Sequence, residues 1–261
     1  MFIKILLSLL LVINILFINP ASAFAITLEN RINSYPQWNS KLNLPQPDRD
    51  LIFPDWFEGK WEVSNILKEQ IAPLAPRFKT PGFDQNEAYI DREILFDVQY
   101  IPTIEIPKQE NFLPSIVNKK PIIIADRAFN GKSIAQAYLG EENVDKVIIN
   151  SRNSTEQITN FSSENQLIST IVGRQQQTIN DNKIITSEIT RQFFRRPQSV
   201  YLNFVESTTE YELINPQLIK GRQISAIYLS PEDPDYFLAI DKPVALYYYE
   251  LMLTKINNSL E

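Results

Sequence analysis

FPDWFEGKWEV, Phe53 to Val63, is the stretch from which the fold can be read. Two tryptophans stand five residues apart around Gly59, in a chain with only six glycines and three tryptophans. Pro54 breaks any regular ladder of hydrogen bonds, and a glycine lets the backbone turn sharply. Beyond it Trp61, Val63, Asn65 and Leu67 alternate with Glu62, Ser64 and Lys68, which is the period of a strand. The stretch reads as the point where the chain enters the first strand of a β-barrel.

Downstream, Ile94, Phe96, Val98 and Tyr100 mark a second strand, and PIIIA at 121–125 a third. Residues 71–87 and the segment from Pro102 to Lys120 read as proline-rich loops. One helix is predicted near 130–139: Asn130 caps it, Ile134, Ala137 and Tyr138 share a face, and Gly140 stops it. The remainder reads as strands over 145–149, 167–178, 183–194, 199–206, 209–214, 222–230 and 244–253, with a polar, exposed loop at 150–165. Asn180-Asp181-Asn182, Arg196-Pro197, Ser207-Thr208, Asn215-Pro216 and Pro231 to Pro234 carry turn chemistry. Many strands joined in sequence by short turns predict a mainly β fold, an antiparallel up-and-down barrel that buries its edges by closing. The final strand is apolar on both faces, so it needs a cover outside as well as inside, from the N-terminal arm or the helix.

Upstream, residues 24–54 read as a proline-rich N-terminal arm, extended or coiled, with Trp38, Leu42, Leu44 and Ile52 to pack it on the domain. Residues 1–23 read as a signal peptide: Lys4, then ILLSLLLVINILF, then the small-residue site Ala21-Ser22-Ala23. Cleavage after Ala25 fits the same rule. The layout is a leader at 1–23, the arm at 24–54 and a barrel domain at 55–255, exported and soluble.

Removing Lys4 from 25 basic residues leaves 24 against 31 acidic ones, a net charge near −7. Such a chain lacks the basic footprint of nucleic-acid binding and the polybasic patch that holds a protein on an anionic membrane. There is no cysteine, so an exported fold must rest on its core alone. There is no histidine either, which excludes the usual serine and cysteine triads and zinc held by Cys and His.

Gly59-Lys60-Trp61 resembles the G-x-W motif that opens the first strand of lipocalins and related calycins. The resemblance implies a barrel spanning roughly 54–255, with a turn from Pro54 to Phe57, Gly59 as the motif glycine and Trp61 plugging the closed end beneath a ligand cavity. The family's arginine partner for that tryptophan has Lys255 as its stand-in here. About 90 residues with a helix precede the main meander, which departs from the family's eight strands in a row. FPDWFEGKWEV, APLAPRF with TPGF, and DRAFNGKSIAQAYLG together look like an uncharacterised family of exported cyanobacterial and plastid lumenal proteins, which implies a periplasmic or thylakoid-lumen address.

Several side chains are candidates for chemistry. Arg174 and Arg191 fall inside long strands and Glu250 inside an apolar one, and charges placed there need partners. They are candidate ligand contacts, or a Glu–Arg pair across the barrel floor. Tyr201, Tyr228, Tyr248 and Tyr249 are candidates to line a cavity for a flat apolar ligand, above Trp61. Asp126 and Arg127 are expected to pair and fix a strand–helix junction. Gly131-Lys132-Ser133 matches the end of a phosphate loop, but the loop's first glycine falls at Asp126, whose carboxylate repels phosphate. The sequence therefore predicts a monomeric, non-enzymatic binding protein for an apolar small molecule of lipid or pigment type, without cofactor or metal. The alternatives are an assembly factor with a filled barrel, touching a membrane protein complex, and an enzyme working with carboxylates.

Overall fold

The computed structural model describes residues 26–104, 121–162 and 164–257. The leader and most of the loop from Pro102 to Lys120 lie outside them. Gly59 has a φ of +114°, a conformation that strains any residue with a Cβ. From it runs strand β1 (Gly59–Ile71). It is followed by β2 (Glu93–Thr103), β3 (Ile122–Ala125), β4 (Val144–Asn150), β5 (Asn153–Phe161), β6 (Gln166–Asn180), β7 (Lys183–Arg196), β8 (Ser199–Asn215), β9 (Leu218–Leu229) and β10 (Ala245–Lys255). Three short α-helices stand among them: α1 (Leu28–Asn33), α2 (Arg127–Leu139) and α3 (Tyr236–Ala239).

All ten strands of the described residues form one antiparallel sheet in the order β3-β2-β1-β10-β9-β8-β7-β6-β5-β4. It is the up-and-down meander that the turns predict, with the β1–β10 pair joining its two arms. The sheet curls into a half-barrel. Its edge strands β3 and β4 do not pair with each other, so the gap between them is bridged by other elements.

Helix α2 bridges one part of the gap. On the β2 side, Asn130 Oδ1 accepts from the backbone N–H of Gln99 at 2.7 Å and Ser133 Oγ from that of Asp97 at 3.0 Å. On the β5 side, Arg127 donates to the carbonyls of Ser154 and Thr155. The arm bridges the other part. It lies along the free edge of β6, where the Arg174 N–H donates to Pro45 O at 2.9 Å and Gln176 exchanges two hydrogen bonds with the backbone of Ile52. Phe53 then forms a bridge with Ile123 of β3. Edges that would otherwise invite another chain are occupied.

Four packed regions of the described residues hold this shape, one of them formed by Leu229 and Val244 with Ala239 of α3. At one end Trp61, fully buried, packs with Phe53, Phe57, Tyr100, Ile184, Ile219 and Leu253. Its indole N–H donates to Phe57 O at 2.7 Å, and Lys255 Nζ sits 5.2 Å from the ring centroid. At the other end Phe83, Leu67, Ala245 and Tyr247 pack together. On the outer face α1 and Trp38 cover Ile185, Ile224, Tyr228 and Leu246. The arm is thus the outer cover of β10, and it starts with a helix where its prolines suggested only coil. Thr27 caps that helix by accepting from the Asn30 N–H.

Three local expectations are corrected. Residues 153–161 form β5 and are not a loop. Ser207-Thr208 does not break the chain; β8 runs through it, and Thr208 and Ser187 share a buried hydroxyl–hydroxyl bond of 2.8 Å. Helix α2 begins at Arg127, because Asp126 is the cap, accepting from the Phe129 N–H at 3.0 Å. No ion pair joins Asp126 to Arg127, since each side chain is committed to backbone groups.

Candidate functional site

Inside the curl lies a cavity of about 560 Å³, within the range of small-molecule sites. Its walls differ in chemistry. β1, β2 and β10 contribute Val63, Phe96, Val98, Tyr249, Leu251 and Leu253, and α2 adds Ile134 and Tyr138. Across from them, β5 to β9 contribute Gln157, Ser169, Thr186, Thr190, Gln192 and Ser225. One side is mainly aromatic and aliphatic; the other is mainly amide and hydroxyl, with Arg174 and Glu188 among them.

The α2 residues that face the cavity, Arg127, Asn130, Gly131, Ile134 and Tyr138, follow the i, i+3, i+4, i+7, i+11 spacing of one helix face. No residue of α2 is fully buried, as expected for a helix laid over a cavity instead of a packed core.

A bulge sets the polar wall. In the β6–β7 ladder Ile171 pairs with Thr190 but Gly173 pairs with Ile189, so Val172 is extra. The extra residue reverses the alternation, and Arg174 turns inward. There it donates to Glu188 Oε1 at 2.6 Å and to Asp50 Oδ1 at 3.1 Å, and also bonds Arg49 O. Arg127 completes a group of four charges. Burial pushes its guanidinium below the usual arginine value, with Arg174 adding repulsion and Glu188 and Asp50 opposing the shift.

Asn65 lies on the apolar side. It is 8% exposed, its Nδ2 donates to the Tyr138 hydroxyl at 2.7 Å, and its Oδ1 has no partner. Burial raises the phenol of Tyr138 and, more strongly, that of Tyr249. At the plugged end burial raises Tyr211 to about 12, and Tyr100 is raised for the same reason.

The candidates named from sequence separate by strand parity. Arg174, Arg127 and Tyr249 line the cavity. Trp61 lies under it in the packed end and does not reach it. Tyr248 and Glu250 share parity with the outward Leu246, so Tyr248 packs on Tyr35 with centroids 5.7 Å apart and Glu250 is exposed. Tyr228 is also outward, bonded to Arg31 and Glu206 at 3.0 Å each. Arg191 is exposed. Tyr201 is half-buried and does not line the cavity. Asp126 caps α2 and Gly59 starts β1 (see above). Among the described residues no Glu–Arg pair crosses the floor; Arg31–Glu206 is a fully buried pair on the outer face, and the buried Arg174 pairs with the half-buried Glu188 in the polar wall.

Sequence reasoning missed Asn65, Tyr138, Gln157, Thr190 and Gln192. The signal for the last two was present: Thr186, Glu188, Thr190 and Gln192 recur every second residue against Ile185 and Ile189. That is a polar face too regular for a packed core. Among the described residues no acidic cluster suited to a metal ion occurs, and no described helix is long and apolar enough to cross a membrane.

No curated protein and no solved structure matches this chain. A family model does match, over residues 46–257, a range that holds every cavity-lining residue from Asp50 to Leu253 and leaves out α1. The chain therefore belongs to the family described as a domain of unknown function, DUF6816.

Proposed function

We propose that this is an exported, non-enzymatic binding protein that carries one small amphipathic molecule, lipid-like or pigment-like, inside the half-barrel. The observation that supports the reading is the division of the cavity into a mainly apolar wall on β1, β2, β10 and α2 and a polar wall on β5 to β9 whose charges, Arg174 and Glu188, are paired with each other. A wholly apolar guest leaves the amides and hydroxyls of the second wall unpaired. A wholly polar guest wastes the first. A molecule with one apolar and one polar side matches both. Export, to a periplasm or thylakoid lumen, rests on the leader-like residues 1–23 and on the resemblance to exported lumenal proteins.

The test starts with protein purified from its own source. Organic extraction and mass spectrometry should recover one amphipathic species, near one per chain. The double variant Thr190→Phe/Ser225→Leu, which fills the cavity, should lose that species while keeping its circular dichroism. An empty extract, or a species retained by the filled variant, overturns the reading.

A second reading, an accessory factor docked on a membrane protein complex, has its own support. In and beside α3, Phe237 is 85% exposed, Ile240 55% and Leu238 40%, an apolar tip away from the cavity. Phe237→Ser should abolish co-migration with such a complex and leave the extracted species unchanged.

A further inference from the structure

We propose that the polar end of the guest is an uncharged, hydroxyl-rich group, a sugar ring or similar polyol, anchored on Asn65. This inference rests on the reading of the cavity as an amphipathic site and specifies the chemistry of the polar part.

The charged groups of the cavity are already satisfied by one another. Two arginines face two carboxylates: Arg174 is held by Glu188 and Asp50, and Arg127 is held by two carbonyls of β5. A carboxylate or phosphate on the guest has to displace Glu188 or Asp50 from Arg174. An ammonium has to draw those acids off the same arginine. Either exchange breaks charge-assisted bonds already made in a partly dry site.

The neutral groups are the ones left open. Gln157, Ser169, Thr186, Thr190 and Gln192 line the cavity and make no side-chain hydrogen bond among the described residues. Several free donors and acceptors on one wall call for a guest with several hydroxyls; a single alcohol satisfies one or two. Asn65 adds the buried anchor, with one end of its amide on Tyr138 and the other unpaired. Leaving such an atom unpaired costs about 1–3 kcal/mol. A hydroxyl both donates and accepts, so it pairs with whichever end of the amide faces the cavity. Phe96 and Tyr249, on the strands that flank Asn65, also line the cavity, and aromatic rings suit the C–H side of a sugar ring.

Calorimetric titration of the full mature protein, stripped of extractable molecules, separates the classes. The probes are octyl glucoside below its micellar range, octanol, octanoate, octyl phosphate and glucose. Octyl glucoside should bind at least about tenfold more tightly than octanol, octanoate or octyl phosphate, a difference of about 1.4 kcal/mol. Asn65→Leu and the near-isosteric Thr190→Val should each weaken octyl glucoside about tenfold and leave octanol unchanged. Glucose binding as tightly as octyl glucoside identifies a free saccharide as the guest; weaker glucose binding identifies a lipid headgroup. Octanoate or octyl phosphate matching the glucoside, or a glucoside affinity unmoved by both substitutions, overturns the proposal. If an octyl compound binds but the glucoside does not, only the headgroup assignment falls. If no probe binds, the amphipathic site falls with it.

Discussion

Arg31 shows how one side chain ties the arm to the domain. Its Nε donates to Glu206 Oε1 at 2.8 Å and its Nη2 to Glu206 Oε2, Ser40 O and the Tyr228 hydroxyl. Its guanidinium also lies 3.8 Å from the centroid of Trp38, whose indole N–H returns a bond to Arg31 O. Glu206 is fully buried, on a strand inside the family-matched range, while Arg31 is outside it. A buried pair adds little net stability, but removing one partner strands the other charge. Arg31→Ala should lower the unfolding free energy by about 3–5 kcal/mol in urea. Arg31→Met with Glu206→Leu should recover most of that loss, because no charge is left behind. A single variant within about 1 kcal/mol of the parent would mean that water reaches Glu206 and the arm is not a fixed cover.

At the level of elements, the β6 bulge does two jobs with one residue. It turns Arg174 into the cavity, and it gives the arm a point of attachment through Asp50 and the Arg174 N–H to Pro45 O contact. Arg174→Met keeps the bulge and should cost about 1–2 kcal/mol. Deleting Val172 leaves Ile171 and Gly173 consecutive opposite Thr190 and Ile189, so each side chain keeps its face and only the local bend is lost, which should cost about 1–3 kcal/mol. It should also expose residues 45–53 to limited proteolysis. A deletion variant as stable as the parent, with the arm still protected, would show that the bend has no role of its own. The same element explains what sequence could reveal. The strands at 183–194 and 222–230 were legible because outward Ile185 and Ile224 alternate with polar residues, and 244–253 as an apolar run. β5 was not legible, because Thr155, Gln157 and Thr159 make its inward face polar while Glu156 and Asn160 make its outward face largely polar too: its inward side belongs to the polar wall. Ser207 was misread for the same reason, a small polar residue at a cavity wall looking like a turn. Tyr228 and Tyr248 were placed inside because an aromatic facing a covering arm is indistinguishable from one facing a cavity until the arm's path is known. The bulge, which no periodicity announces, hid the reason that Arg174 and not Arg191 faces in.

For the whole molecule, the test of a sealed chamber is its behaviour at high pH. The chain has no histidine, so nothing with an ordinary pKa near 6.5 titrates, and stability should be flat from about pH 6.5 to 9.5. Above that the cavity and plug tyrosines dominate. Burial raises Tyr211 to about 12 and shifts Tyr100 and Tyr249 the same way. In the unfolded chain phenols ionise near 10. Between about 10 and 12 the unfolded state therefore binds fewer protons than the folded state, and stability falls as pH rises. The stabilisation is complete below pH 10 and is lost as the pH climbs through the folded value, with Tyr211 alone accounting for about 2 kcal/mol by pH 12. In a spectrophotometric titration at about 295 nm, exposed phenols should ionise near pH 10, and the buried set only in the step where circular dichroism is lost. Tyr211→Phe should move that step to higher pH, provided the lost hydroxyl leaves no stranded partner at Tyr100. If every tyrosine ionises near 10 in a protein that stays folded, water reaches the plugged end and the wall of β1, β2 and β10. A chamber open in that way has no dry side for an amphipathic guest, and the case for carriage fails with it.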